Sequence, residues 1–318
     1  MTDAPPHKRS LHATATGMPP RVSVVIPTRN RPVQLKACLH GLSASFPPDA
    51  EVIIVSDGGD QAAFPDLSGL RDILKLRVIH VPHGGPAQAR NHGLEIARGV
   101  IVAFIDDDCL PEPEWVEQLT AAVSLDPPMA AGGKTKNGLP SNPYAAAAQL
   151  VLDLMERDQQ RRNYGPLFFP SNNLAFPTEA LRQLGGFNPA FRTAEDRELC
   201  RSWLEAGYEL IRAPNAILSH APDLDLAGFW RQFVAYGEGA AQFHGRSGQQ
   251  WKRESLAFHL HVPMLGAELA AEQQLGRRGT LAALVVLWEI ANLAGFLKRR
   301  WKHVPSRQVD VKLKETNP

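Results

Sequence analysis

Asp106, Asp107 and Asp108 form an unbroken acidic run. Neighbouring carboxylates repel one another, so stability alone is a poor reason to place them together. Their natural use is to hold a hard divalent cation, which takes oxygen ligands and shares its remaining positions with water or substrate phosphates. The competing use is an acidic turn that caps the helix beginning near Pro113-Glu114-Trp115, worth about 0.5–2 kcal/mol. An Asp-x-Asp element alone serves phosphatases, phosphotransferases and nucleotide-binding domains equally well. A second acidic pair, Glu195-Asp196, opens a predicted helix and suits either general-base work or simple capping. Asp57 lies in Ser56-Asp57-Gly58-Gly59, where it is a turn former or a ligand contact. His220 follows a predicted strand, a position open to a structural or a ligand role.

The elements around these residues bring them towards one another. Val22–Ile26 is a β-branched apolar run closed by Pro27, and Glu51–Val55, Leu76–Val81 and Val100–Ile105 repeat the pattern. Helical spacing spans 31–42 and 87–97. Strands alternating with helices predict a parallel sheet covered on both faces, and such sheets bind ligands at the carboxyl ends of their strands. Thr28, Asp57 and Asp106 to Asp108 all fall at those ends. Further on, 132–138 reads as an edge strand and turn, 145–162 as helix and 168–176 as strand. Thr178 is the expected N-cap of a helix over 179–184 closed by Gly185-Gly186. A helix follows over 194–206, a strand over 209–219 and a helix over 226–243. The aromatic residues of that last helix are expected to pack on the sheet, with Arg231 and Tyr236 as candidate site residues.

Of 318 residues, 44% are hydrophobic and 21% charged, with a formal net charge of +1. That balance gives no electrostatic case for a nucleic-acid partner. Three separated cysteines, Cys38, Cys109 and Cys200, fit neither a disulfide framework nor a zinc cluster and point to a reducing, cytoplasmic setting. Residues 1–20 lack an apolar core of signal-peptide length and read as a flexible lead-in. The expected division is that lead-in, a catalytic domain over 21–244, and a helical extension over 245–318.

Five segments taken in order, VSVVIPTRNRPVQLKACLHGL (22–42), EVIIVSDGG (51–59), GGPAQARNHGLEIARGVIVAFIDDDCLPEPEWVEQL (84–119), PSNNLAFPTEALRQLGGFNPAF (170–191) and AEDRELCRSWLEAGYEL (194–210), resemble glycosyltransferase family 2. The resemblance covers residues 21 to about 220. It implies a GT-A fold, an α/β, Rossmann-like and mostly parallel sheet flanked by helices. It also implies inverting transfer of a sugar from a nucleotide diphosphate donor to a hydroxyl on a glycan, a lipid-linked molecule or a small molecule, as in cell wall or polysaccharide biosynthesis. By the same resemblance Pro27, Thr28 and Asp57 contact the nucleotide, with Arg90, Asp106, Asp107 and Asn173 beside them. Asp106, Asp108 and His220 hold Mn2+ or Mg2+. Glu195 and Asp196 are the catalytic pair, with Asp196 as the general base. The family often has an acid where this chain has Cys109. The Gln-x-x-Arg-Trp element of processive members is absent, which implies non-processive transfer.

Leu281–Leu297 is strongly apolar, and Lys298-Arg299-Arg300-Trp301-Lys302-His303 is basic. Seventeen residues is short for a span, and Glu289 and Asn292 sit near the centre. Packing on the catalytic domain or on a dimer partner, docking at the inner face of the cell membrane through 281–303, and a true span are the alternatives. Two other functions compete with transfer. An aspartyl-nucleophile phosphatase needs Asp-x-Asp-x-Thr or Val, whereas Leu110 stands at that place. A catalytically silent nucleotide-sugar binder would have no need of Asp106, Asp108 and Asp196 together. Nicotinamide chemistry is disfavoured because no Gly-x-Gly-x-x-Gly follows the first strand.

Overall fold

The computed structural model describes residues 20–161, 168–246, 259, 262 and 278–299. Residues 1–19 of the expected lead-in, Arg162, most of 247–277 and the basic residues 300–303 lie outside the described residues.

Four strands, β1 (Val22–Thr28), β2 (Ala50–Asp57), β3 (Arg77–Val81) and β4 (Ile101–Phe104), pair in parallel in the order β3-β2-β1-β4. Their runs are apolar without alternation because both faces are covered. Val22, Val24 and Ile26 face α1 (Pro32–Ser43) and α3 (Trp115–Thr120). Val25, Ile53, Val55 and Phe104 face α2 (Pro86–Ile96), α5 (Thr178–Leu184) and α6 (Glu195–Glu205). In α1 the buried stripe is Leu35, Cys38, Leu39 and Leu42, while Val33 is 75% exposed.

The remaining strands extend the sheet past β4. β5 (Cys109–Pro111), β6 (Ser124–Leu125), β7 (Pro128–Asn137), β8 (Leu174–Pro177) and β9 (Glu209–His220) continue it in the order β8-β7-β9-β5, with β6 on β7. β8 is antiparallel to both β4 and β7, and β7 is parallel to β9. This is the GT-A-type α/β sheet expected from the sequence.

Three local expectations are corrected. Residues 132–137 belong to an interior strand, since β7 lies between β8 and β9, and only Gly138 is left for the turn. Gly132 and Gly133 are there for close approach: a Cβ would run into the Phe169 ring at the first and the Asn173 amide at the second. Over 168–176, Ser171–Asn173 forms a 3-10 turn and extended pairing begins only at Leu174. Thr178 is the first helical residue of α5, not its cap, and its hydroxyl donates to the Gly99 carbonyl at 2.7 Å.

Three helices form a separate apolar layer. α4 (Pro143–Arg161), α7 (Leu226–Arg246) and α8 (Arg278–Arg299) share a core that includes Leu150, Leu154, Phe229, Phe233, Leu284 and Trp288. α8 is long and apolar enough to cross a membrane by length and composition. Yet Leu281, Leu284, Trp288, Ala291 and Gly295 are buried in the fold, while Val286, Ile290, Leu293 and Leu297 are exposed on the helix.

Candidate active site

The carboxyl ends of β1, β2 and β4 open into a cleft of about 630 Å³. It is lined by Pro27, Thr28, Asp57, Arg90, Asp106, Asp107, Asp108, Glu195, Asp196 and His220. These are ten of the eleven site residues implied by the family resemblance. Asn173 does not join them, which corrects that expectation. It is 0% exposed, accepts from the Trp115 indole N–H at 2.9 Å and donates to the Ala216 carbonyl at 3.2 Å. Its neighbours Ser171 and Asn172 line the cleft instead.

The acidic run is not a helix cap. β5 intervenes before α3, whose N-cap residue is Glu114 with no side-chain cap bond. Each aspartate has its own partner. Asp106 accepts from Arg90 at 2.6 Å, Asp107 from the Thr28 hydroxyl at 2.7 Å, and Asp108 from Arg31 at 2.9 Å while facing His220 at 3.4 Å. Arg90 also donates to Glu195 at 3.0 Å, so one buried guanidinium bridges the strand-end acids and the start of α6. The next residue ties the same turn of α2 to the loop before α6: the Asn91 side chain exchanges hydrogen bonds with the Phe187 backbone at 2.7 and 2.8 Å.

Glu195 and Asp196 open α6 after Ala194, which holds φ 62°. A non-glycine residue in that region stores on the order of 1–3 kcal/mol, and the turn is held by the contacts around it. Neither acid acts as the N-cap. Asp196 accepts from the Arg197 N–H at 2.7 Å and faces the Ser171 N–H at 3.4 Å. Burial raises the Asp196 carboxyl above its ordinary range, outweighing the backbone N–H groups and Arg90, which lower it. Burial and the Asp196 charge likewise push Glu195 up against the pull of Arg90. Burial pushes Asp107 up to about 6, against the Thr28 hydrogen bond and Arg31. Burial also acts to raise Asp108, but His220 and Arg31 overcome it and hold that carboxyl low. His220 is raised in turn: burial opposes its charge and Asp108 more than compensates.

The donor atoms that converge are those of Asp108, Cys109 and His220, all within 4.8 Å of one another. The antiparallel pairing of β5 with β9 sets Cys109 directly opposite His220. Carboxylate, imidazole and sulfur suit a divalent ion of the first transition row, so this end of the cleft fits a cation. Asp106, expected as a ligand, directs one oxygen at Arg90. Asp57 accepts from the backbone N–H groups of Gly84 at 2.7 Å and Gly85 at 3.0 Å, and pairs with His83 at 2.8 Å. It therefore clamps the turn before α2 at the rim of the cleft.

The sequence reading missed Arg31, which reaches Asp107 and Asp108 because β1 and β4 are adjacent in the sheet. Strand adjacency is not written in the sequence. It also missed the cleft wall supplied by α8 through Trp288 and Asn292, although the polar stripe of Glu289 and Asn292 was a signal. Of the two α7 candidates, Tyr236 lines the cleft, whereas Arg231 is exposed beside a separate shallow groove with Trp230 and Leu287.

A mostly parallel sheet with carboxylates at its strand ends and a second acidic pair across the cleft places the fold in the GT-A class. The family model described as "Glycosyl transferase family 2" matches residues 23–185, just over half the chain, and the chain belongs to that family. It is 32% identical over 230 residues to a pre-mycofactocin glycosyltransferase of Mycobacterium tuberculosis, covering 69% of this chain and 47% of the relative. It is 27% identical over 208 residues to glycosyltransferase AglE of Haloferax volcanii, covering 63% and 67%. The chain thus spans about half the length of the first of these. A mannosyltransferase of Pyrobaculum calidifontis, solved with GDP-Man and Mn2+, superposes with a TM-score of 0.61 at 20% identity over 89% of this chain and 88% of that one.

Proposed function

We propose that the protein is an inverting, non-processive glycosyltransferase that passes a sugar from a nucleotide diphosphate donor to an acceptor hydroxyl, with Asp196 as the general base. The observation that carries this reading is the Arg90 bridge, which sets the Asp106 side and the Glu195-Asp196 side of one cleft facing each other. Inversion needs the leaving diphosphate and the attacking hydroxyl on opposite faces of the anomeric carbon. A base raised by burial is closer to the operating pH and so better matched to taking the hydroxyl proton.

Pro27, Thr28 and Asp57 are assigned to the nucleotide, with Arg90, Asp106 and Asp107 beside it. The Asp57 contact would share a carboxylate with the 83–85 clamp. Asp108 and His220, with Asp106, would hold Mn2+ or Mg2+, which would neutralise charge on the departing diphosphate when bound. Arg31 holds Asp107 and Asp108 in place, and Thr28 orients Asp107. The exposed apolar stripe of α8 supports peripheral contact with the cytoplasmic membrane face or, alternatively, with a second copy.

Asp196→Asn tests the assignment. The carboxamide keeps an oxygen for the Arg197 N–H but cannot take a proton. Transfer is expected to fall about 10²–10⁴-fold with nucleotide binding and melting temperature close to wild type. Near wild-type turnover in a folded variant would remove Asp196 from the chemistry. Nucleotide binding with no turnover from any donor, in the wild-type protein, would favour the silent-binder alternative.

A further inference from the structure

The cleft has two unlike halves. One carries the acids and bases described above. The other is walled by Leu152 and Met155 of α4, Phe233 and Tyr236 of α7, and Trp288 of α8. α7 and α8 lie beyond residues 23–185, the part matched by the family model. Their aromatic rings form a ladder. Tyr236 meets Phe233 edge-on at 5.5 Å and 89°, Phe233 meets Trp288 at 6.4 Å and 88°, and Trp288 stacks on His259 at 5.7 Å and 20°.

We infer that this half is a subsite for an acceptor with an apolar body, an alkyl or aryl aglycone whose hydroxyl end reaches Asp196; the inference rests on the glycosyl-transfer reading. Tyr236 joins the two halves. It is 47% exposed and faces into the cleft. A free sugar would fit the wall poorly, because each hydroxyl buried without a partner loses its water. On the α4 side the Gln149 amide nitrogen is already committed to the Thr135 carbonyl at 3.0 Å and to Asp153 at 2.8 Å, and the polar groups of the α7 and α8 side are Gln232, Asn292 and the Tyr236 hydroxyl against the larger aromatic and aliphatic surface. The wall is also fixed before anything binds. A Cβ on Gly237 would run into the Asn292 carbonyl, and one on Gly295 into the Val234 carbonyl, so α7 and α8 touch backbone to backbone. A preformed apolar surface loses less ordering entropy on binding than a mobile one.

The test uses the full chain and alkyl glucosides as probes. Binding of methyl, hexyl and octyl β-glucoside is measured by calorimetry with a nucleoside diphosphate present. The octyl compound, below its micellar concentration, is expected to bind at least about ten-fold more tightly than the methyl compound. Leu152→Gln and, separately, Met155→Gln are expected to erase most of that gain, while nucleotide affinity stays within about two-fold. Equal affinity across the series, or folded variants that keep the gain, overturns the inference. Failure of the wild-type protein to bind any nucleoside diphosphate would instead overturn the underlying transfer reading. A long-chain glucoside in phosphatidylcholine vesicles separates the two sources of such an acceptor. Tighter binding there than to the octyl monomer, lost in Ile290→Lys, marks a membrane lipid. Equal or weaker binding there marks a soluble aglycone.

Discussion

Arg90 carries two ion pairs from a position almost closed to solvent, with its side chain 4% exposed. Lysine can replace its charge but not its fork, so one of the two carboxylates would lose its partner. Arg90→Met is expected to destabilise the fold by about 3–5 kcal/mol, the cost of leaving buried acids unpaired, and Arg90→Lys to recover part of this; thermal melts decide it. Asp107 makes a pH prediction. A carboxyl raised from 3.8 to about 6 binds its proton more tightly when folded than when unfolded. It therefore withdraws stability as pH rises from about 4 to about 6. In metal-free buffer, Asp107→Asn should be more stable than wild type at pH 8 by at most about 3 kcal/mol in denaturant unfolding, with the gain shrinking towards pH 4. A constant difference across that range would show that burial does not raise this carboxyl. The acidic run was legible in the sequence because like charges are seldom placed together without use. Its partner Arg31 is hidden by strand order, and Asn173 is misassigned because a motif fixes spacing without saying which of two adjacent asparagines lines the cleft.

At the scale of elements, the runs that form β1, β2, β3 and β4 were readable because a strand covered on both faces has to be apolar throughout. β7 was read as an edge because its paired glycines resemble a turn, although packing demands them for the approach of Phe169 and Asn173. Gly237 and Gly295 pose the same problem. Glycine inside a helix usually costs about 1 kcal/mol relative to alanine, yet here alanine would place its methyl in the facing backbone. Gly295→Leu is therefore expected to lower the melting temperature despite the better helix propensity of leucine, and to weaken octyl glucoside binding by prying Trp288 from Phe233. An unchanged or higher melting temperature would show that α8 shifts freely and that the wall is not rigid.

For the molecule as a whole, the question is whether α8 belongs to the fold or hangs from it. Its sequence, apolar and then basic, reads as an appendage or a membrane element, and its 22 helical residues meet the length for either. In the structure Leu281, Leu284 and Trp288 are buried with Phe229 and Phe233 of α7 and Leu150 of α4. Burial at this level is worth roughly 1.5–3 kcal/mol for each large side chain, a large share of the 5–15 kcal/mol that holds a typical domain. The groups assigned to the nucleotide under the proposed function stand apart from this layer, at the ends of β1, β2 and β4 and on α2, with their own cores on either side of the sheet. Deleting residues from Gly279 onwards should thus split two properties. The melting temperature should fall by several degrees and the alkyl-chain gain in glucoside affinity should vanish. Nucleoside diphosphate affinity, measured by calorimetry below the new melting point, should stay within about three-fold of wild type. A truncated protein that melts like the full chain would make α8 a detachable anchor, and one that folds but no longer binds nucleotide would make it part of the donor site.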